Sequence, residues 1–332
     1  MAFDGASGQD MAAYATRRPV PCRPLERPAA PSLEGPITAP SADEPAIDLS
    51  VVIAAHDAQD TLTEQLDALV AQRWSGSWEV LVVDNRSTDG TAAVVQRVGL
   101  RSTVPVRLTR ADAGTGPAYA RNVGAREARG RALAFCDADD VVGSSWVAAM
   151  GDALATHEFV CGAVELARLN PTWLAASRGA TGTVEAAQFE ARFPFASACN
   201  LGIRRARFLA ADGFDEELAV GEDIDLSMRL HLDGTDLTFV PEAVVHYRYR
   251  PTLGGTFRRA VEYGAASPVI ADRWRARTGE QLPRAAHARN WLWLVRHAGL
   301  LYRRDGRARW LWVAGQRLGT IVGAVRVRQV YL

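Results

Sequence analysis

The sequence of 332 residues contains no lysine, so all 38 of its basic residues are arginines, and they balance 38 acidic residues. It has only four cysteines, Cys22, Cys136, Cys161 and Cys199, and none of them forms a CxxC pair. These positions provide no disulfide framework. We therefore expect free, buried thiols and a reducing cytoplasm.

Long apolar runs are also missing. No segment reaches the roughly 18 to 20 uninterrupted apolar residues of a spanning helix, because Arg296, Gln316 and Arg317 interrupt the C-terminal region. Residues 1–46 are rich in proline and alanine and have no continuous apolar core of the kind that secretory signals contain. We predict that this segment is a disordered tail.

An acidic motif follows an apolar segment in the first half of the chain. Asp137-Ala138-Asp139-Asp140 comes directly after residues 132–136, which read as a buried strand. Mg²⁺ and Mn²⁺ prefer oxygen ligands and are often shared between carboxylates and substrate phosphates, so the motif favours a nucleotide diphosphate site. The alternative is a solvated acidic turn that caps a helix at Ser144 or Ser145.

Three further strands precede this motif, and helices alternate with them. The apolar runs at residues 49–55, 78–83 and 106–109 predict strands, and Thr61 with Glu64 resembles a capping box that opens the first helix. Strand and helix in alternation predict an α/β fold with a doubly wound parallel sheet. Ligands bind such sheets at the carboxyl ends of the strands, where the sequence places His56, Asp57, Asp84, Asn85, Asp137 and Asp139.

Five segments in a fixed order carry a resemblance to a known family. They read VVIAAHDAQDTL, VLVVDNRSTDGT, GPAYARNVGARE, LAFCDADDV and GFDEELAVGEDIDLSMRL, and together they resemble family 2 glycosyltransferases of the GT-A fold over roughly residues 48 to 250. The resemblance implies a Rossmann-like, doubly wound mixed sheet over 47–250, and we expect a helical extension over 251–332. It also implies transfer of a sugar, with inversion, from a nucleotide diphosphate donor to a hydroxyl acceptor with Mg²⁺ or Mn²⁺. We expect a UDP-sugar donor and a role in cell-envelope or polysaccharide synthesis.

The resemblance assigns donor-binding roles to residues at the ends of the first two strands: Ala54, Ala55, His56, Asp57, Asp84 and Asn85. The family often has a tyrosine at the position of His56 and an asparagine at that of Asp57, so the first loop departs from the common pattern. His56 and Asp84 each also have a structural interpretation that does not require a donor. His56 can be a loop histidine bonded to backbone, and Asp84 can cap the next helix through an Asx-type turn, which is compatible with nucleotide contact.

The resemblance also assigns donor contacts to Arg121, Asn122, Asp137 and Ala138, and metal ligation to Asp137, Asp139 and His246. An arginine fork suits phosphate or carboxylate oxygens, and a neutral imidazole can join carboxylates on Mn²⁺. The alternatives are a surface pairing of Arg121 with Glu127 or another acidic neighbour, and a packed His246.

The catalytic base is expected in Glu222-Asp223-Ile224-Asp225. An inverting displacement needs a carboxylate within hydrogen-bond reach of the acceptor hydroxyl. The resemblance favours Asp223, with Glu222 second. Asp225 is expected instead to stabilise the first turn of a helix through the helix dipole.

The C-terminal region is basic and aromatic. From Thr252 onward there are 15 arginines and 4 acidic residues, together with Trp274, Trp291, Trp293, Trp310 and Trp312. Such helices suit peripheral contact with the inner face of an anionic membrane, with a lipid-linked acceptor, or packing on the catalytic domain or in a homodimer. No nucleic-acid recognition motif accompanies the charge, so no nucleic-acid partner is expected.

Other function classes fit less well. A sugar nucleotidylyltransferase would need a glycine-rich loop with arginine and lysine after the first strand, and an aspartyl phosphatase would need its acidic motif near that strand. A non-catalytic sugar-nucleotide-binding scaffold would not need both the acidic motif and a base. A glycan or lipid-linked acceptor and a nucleotide-sugar donor are therefore the expected partners.

Overall fold

The structure is a computed structural model that describes residues 47–177, 183–184, 187–281 and 285–327. The predicted tail over 1–46, and Cys22 within it, lie outside the described residues. The first part of the chain alternates strands and helices in the order β1 (Ile47–Ala55), α1 (Leu62–Val70), β2 (Trp78–Asp84), α2 (Thr91–Gly99), β3 (Val106–Arg110), α3 (Pro117–Glu127) and β4 (Gly130–Asp137).

The second part of the chain has strands and helices of very uneven length. The elements are β5 (Val141–Val142), α4 (Trp146–Thr156), β6 (Phe159–Glu165), α5 (Thr172–Ser177), β7 (Thr183–Val184), β8 (Ala187–Phe189), β9 (Phe193–Phe195), β10 (Asn200–Arg204), α6 (Arg205–Ala210), α7 (Glu222–Leu232), β11 (Leu237–His246), α8 (Leu253–Thr278), α9 (Ala285–Arg296), a 3-10 helix (Ala298–Tyr302) and α10 (Arg304–Arg326).

One large sheet organises the described residues. Its strand order is β3-β2-β1-β4-β10-β6-β11-β5, with β7 paired to β6. The first four strands are parallel, and β10 runs antiparallel to both β4 and β6. The predicted doubly wound mixed sheet is therefore confirmed, and β8 with β9 forms a separate hairpin.

Apolar side chains cover both faces of the sheet. Val51 and Ile53 face one buried layer, whereas Val52 faces the other, as the alternation of a strand requires. A side chain at Gly124 would collide with Val52 and Val83, so glycine lets α3 lie directly against the sheet. This close approach places the preceding turn of α3, which carries Arg121, beside the end of β4.

The predicted capping box is wrong in detail. The first helix begins at Leu62, directly after Thr61, but the Thr61 side chain makes no capping hydrogen bond. The Glu64 carboxylate instead accepts a hydrogen bond from Arg248 at 2.6 Å. Ser145 likewise precedes α4 without capping it, because its hydroxyl donates to the carbonyl oxygen of Glu242.

The C-terminal helices α8 and α10 pack on the part of the chain that precedes them. Trp274 of α8 stacks on Phe193 with ring centroids 5.3 Å apart, and Arg273 forms ion pairs with Asp215 and Asp225. Arg304 at the start of α10 lies over the ring of Trp173 in α5. Among the helices that the structure describes, none combines the length and apolar character that crossing a bilayer requires.

Candidate active site

The ends of three adjacent strands bring the predicted donor residues together. Ala54 pairs with Asp137 across β1 and β4, and Ala55 pairs with Asp84 across β1 and β2. Because these strands are parallel, their terminal polar groups lie along one edge of the sheet. The structure thus places the first, second and fourth loops around a common crevice.

Hydrogen bonds join the first two loops. The Nδ1 atom of His56 lies 2.8 Å from the carbonyl oxygen of Asn85, which matches the loop-histidine interpretation, while 64% of its side-chain surface is exposed. Asp57 accepts a hydrogen bond from the backbone N–H of Thr88, and Asp84 accepts one from that of Ser87. The Asp84 contact reaches three residues along the chain and does not cap α2, which begins at Thr91, so the predicted capping Asx-type turn is not what the structure has.

The two asparagines hold neighbouring loops in place. The Asn85 amide donates to the carbonyl oxygens of Ala111 and Gly114, and its oxygen accepts from the N–H of Gly116. Asn122 donates to the carbonyl oxygen of Phe214 and accepts from the N–H of the same residue. These side chains are engaged within the protein, which gives them a positioning role that the sequence pattern did not indicate.

Arg121 links the acidic motif to the proposed base segment. Its guanidinium donates to Asp137 at 2.6 Å and to Glu222 at 2.8 Å, and only 5% of the residue is exposed. The alternative pairing with Glu127 is not what the structure has. Burial and the neighbouring Asp223 raise the pKa of Glu222 to about 7, against the opposing effect of Arg121. One arginine therefore holds two carboxylates from distant parts of the chain together.

We expect Arg121→Met to destabilise the fold strongly. The substitution would leave Glu222 and Asp137 without their shared cation, and breaking a buried ion pair in this way costs about 3–5 kcal/mol. Urea unfolding measures the loss. Arg126→Met, at an exposed position of the same helix, should change the free energy of unfolding by less than about 0.5 kcal/mol. Equal effects of the two substitutions would contradict this role for Arg121.

The acidic residues at the start of α7 differ sharply in their surroundings. Asp223 is half-buried and accepts hydrogen bonds from the N–H groups of Ala198 and Ile224. Asp225 is 1% exposed and forms ion pairs with Arg229 and Arg273, which outweigh its burial and lower its pKa. The carboxylate of Asp225 is thus engaged in ion pairs within the protein, and that of Asp223 is the more accessible of the two.

Two carboxyl groups of the acidic motif lie close to each other and to a thiol, and Asp139, a predicted metal ligand, is not part of this group. Ligand atoms of Asp137, Asp140 and Cys199 lie within 4.8 Å of one another, and the Oδ2 atom of Asp140 has no hydrogen-bond partner within the described residues. Burial and the nearby Asp137 raise the pKa of Asp139. A divalent cation with oxygen ligands would offset this repulsion, so the carboxylates fit Mg²⁺ or Mn²⁺.

Cys199 and His246 are less suitable as metal ligands than the carboxylates. Burial raises the pKa of the Cys199 thiol well above its usual range, and a neutral thiol is a poor ligand for a hard cation. The Nδ1 atom of His246 lies 2.7 Å from the Glu165 carboxylate, outside the group that includes Asp137. Sequence reasoning did not name Asp140 as a ligand, although its place as the third acid of the motif was a usable signal.

Solved structures with a similar architecture define the class of fold. The mannosyltransferase PcManGT from Pyrobaculum calidifontis, in complex with GDP-Man and Mn²⁺, matches over 85% of this chain and 90% of its own, with a TM-score of 0.57 and 19% identity. TarS residues 1–349 from S. aureus, in complex with UDP-GlcNAc, match over 86% and 93% with a TM-score of 0.50 and 18% identity. The fold is that of the GT-A glycosyltransferases.

The family follows from the sequence comparison. Residues 50–208 match the model described as Glycosyl transferase family 2. This match confirms the resemblance to family 2 glycosyltransferases over these residues.

Two curated relatives have more specific names. The succinoglycan biosynthesis protein ExoO of Rhizobium meliloti (strain 1021) is 38% identical over 103 residues, which are 31% of this chain and 28% of ExoO. The poly(ribitol-phosphate) beta-N-acetylglucosaminyltransferase TarS of Staphylococcus aureus (strain Mu50 / ATCC 700699) is 24% identical over 200 residues, which are 60% of this chain and 35% of TarS. The chain thus spans about a third of the length of these relatives.

Proposed function

We propose that this protein transfers a sugar, with inversion, from a nucleotide diphosphate donor to a hydroxyl acceptor in cell-envelope polysaccharide synthesis. The observation that carries the proposal is the Arg121 bridge, because it brings the acidic motif at Asp137 and the base segment at Glu222 to one crevice. Donor activation and acceptor deprotonation need such proximity. The names of ExoO and TarS support the cell-envelope role.

The residues divide the reaction between them. Asp223 would accept the proton of the acceptor hydroxyl as that oxygen attacks the sugar carbon, and its bonds to two backbone N–H groups orient the carboxylate. Asp137, Asp139 and Asp140 would hold a divalent cation, which supplies charge stabilisation for the leaving diphosphate when it is bound. His56 and Asp84, at the ends of β1 and β2, would contact the nucleobase of the donor.

A donor screen tests the proposal directly. Purified protein with Mn²⁺ would be incubated with UDP-, GDP- and dTDP-sugars, and release of the nucleoside diphosphate would be measured with and without candidate glycan or lipid-linked acceptors. We expect one donor to give metal-dependent release that increases with acceptor. The absence of release and of binding for every donor would overturn the proposed function.

We also propose peripheral membrane binding through an exposed apolar face on α9 and the 3-10 helix. Trp291, Leu292, Val295, Leu301 and Tyr302 are all exposed there, next to the exposed Arg296 and Arg303. Each arginine near an anionic surface adds on the order of 1 kcal/mol, and the apolar residues add burial that salt does not screen. Docking of α8 and α10 on the catalytic unit leaves this face free for contact.

The expected result is partial, salt-sensitive co-sedimentation with anionic vesicles and little with neutral vesicles. Leu292→Gln should weaken binding, whereas Leu100→Gln, an exposed leucine outside this face, should not. No sedimentation with either vesicle type would reject the membrane proposal. A dimer of the purified protein that Leu292→Gln dissociates would favour self-association instead.

A further inference from the structure

The cleft beside the acidic motif has a wall that the C-terminal extension supplies. A cavity of about 80 Å³ borders Asp137 and Asp139, and residues of α8, of α10 and of the segment after β11 also line it. Thr256, Arg259 and Tyr263 follow one another at spacings of three and four residues, so they lie on one face of α8. The extension therefore reaches the catalytic centre itself.

Arg259 is held in this wall by aromatic packing. Its guanidinium lies over the ring of Tyr263, 4.6 Å from the centroid, and Trp312 of α10 packs edge-on against the same ring at 5.8 Å. The ion pair of Arg259 is with Glu262, at 3.1 Å, and about two-fifths of each side chain is exposed. Such surface pairs are weak, so Arg259 can direct its charge to a ligand in the cleft.

The remaining polar groups of the wall suit a ligand rich in oxygen atoms. Arg250 lies 3.8 Å from Asp139 and lines the same cleft as Arg259. The hydroxyl of Thr256 is buried, with the residue 1% exposed, and it has no hydrogen-bond partner within the described residues. Buried hydroxyl groups rarely stay unpaired, so this one points to an acceptor that the protein does not supply.

We propose that Arg259, Arg250 and Thr256 form a diphosphate subsite, so that the C-terminal extension binds the leaving group of the donor. This inference rests on the proposed function. The positive charges of the two arginines favour an anionic ligand. Because Asp137 and Asp139 line the same cleft, the anion that fits best is a phosphate that shares the cation these carboxylates would hold. An arginine fork suits such oxygens, and the Tyr263 ring fixes the fork in orientation.

The subsite would act on the bond that breaks. As the acceptor oxygen bonds to the sugar carbon, the bond from that carbon to the diphosphate oxygen breaks, and its electron pair remains on the diphosphate. Arg259 and Arg250 would face this growing negative charge from within the same cleft. A positive group placed there in advance stabilises the transition state more than the ground state.

The test measures binding without catalysis. Calorimetry would compare inorganic pyrophosphate, UDP and GDP, each with Mg²⁺, on the full chain and its variants. Arg259→Gln should weaken pyrophosphate binding by roughly tenfold or more, the scale of a charge-assisted hydrogen bond. Arg258→Gln, an exposed neighbour on α8, should leave binding unchanged. Arg250→Gln removes an exposed side chain, carries little folding risk, and should weaken binding several-fold.

The outcomes separate this inference from the proposed function. If the parent binds pyrophosphate and only the Arg259 and Arg250 variants lose it, the subsite is supported. If the parent bound pyrophosphate but neither UDP nor GDP, the subsite would be supported and the proposed function overturned. Nucleotide binding that is the same in the parent and both variants, or no pyrophosphate binding by the parent, would overturn the subsite.

Discussion

Asp223→Asn should lower the rate of sugar transfer by roughly a hundredfold or more while donor binding stays near normal, as expected when a positioned general base is removed. The amide keeps the size of the carboxylate but cannot accept the acceptor proton. It can also retain only one of the two backbone hydrogen bonds that the carboxylate accepts from Ala198 and Ile224. The melting temperature must therefore be measured alongside the transfer rate.

Two comparisons locate the base. Asp236→Asn removes a carboxylate from an exposed position after α7 and should leave the rate unchanged. Glu222→Gln should lower stability through the loss of its bond to Arg121, and it should affect the rate less than Asp223→Asn does. Unchanged turnover in Asp223→Asn would assign the base role to Glu222.

Asp139→Ala should abolish metal-dependent donor binding. Its carboxylate and that of Asp137 border the cleft, and removing one of a few oxygen ligands weakens a divalent cation site severely. The backbone oxygen of Asp139, which accepts a hydrogen bond from Arg248, is unaffected by the substitution. The loop should therefore keep its shape while it loses the cation.

Calorimetry of UDP and GDP with and without Mn²⁺ checks this expectation. The parent should bind the preferred nucleotide more tightly with Mn²⁺, and the variant should show no difference. Asp236→Ala serves as the matched control. If Asp139→Ala kept the full effect of the metal, Asp137 and Asp140 would have to hold the cation without Asp139.

The sequence predicts the sheet well because β1 to β4 are local features. Each is a short apolar run bounded by polar residues, and the structure places all four strands within two residues of the predicted bounds. The antiparallel β10 is harder to predict, because its insertion between β4 and β6 depends on pairings across more than 35 positions of the chain. Periodicity carries no information on such pairings.

In the candidate site, too, the features within one segment can be predicted from the sequence, whereas contacts between distant segments cannot. The acidic motif stands out within one segment, whereas the contact of Arg121 with Glu222 joins residues 101 positions apart. The contribution of Trp312 to the cleft depends on how α10 packs on α8. The amphipathic pattern of the C-terminal region is equally compatible with a membrane, a partner chain or the catalytic unit, so it could not select this arrangement.

The packing of α8 on α10 also limits how the cleft can vary. Any side chain at Gly264 would collide with the backbone of Gln316, and one at Gly319 would collide with that of Val261. The two helices thus meet backbone to backbone. A chain with alanine at these positions would hold α10 further away and withdraw Trp312 with it, so the width of the cleft beside Asp137 and Asp139 is set partly by glycines that do not line it.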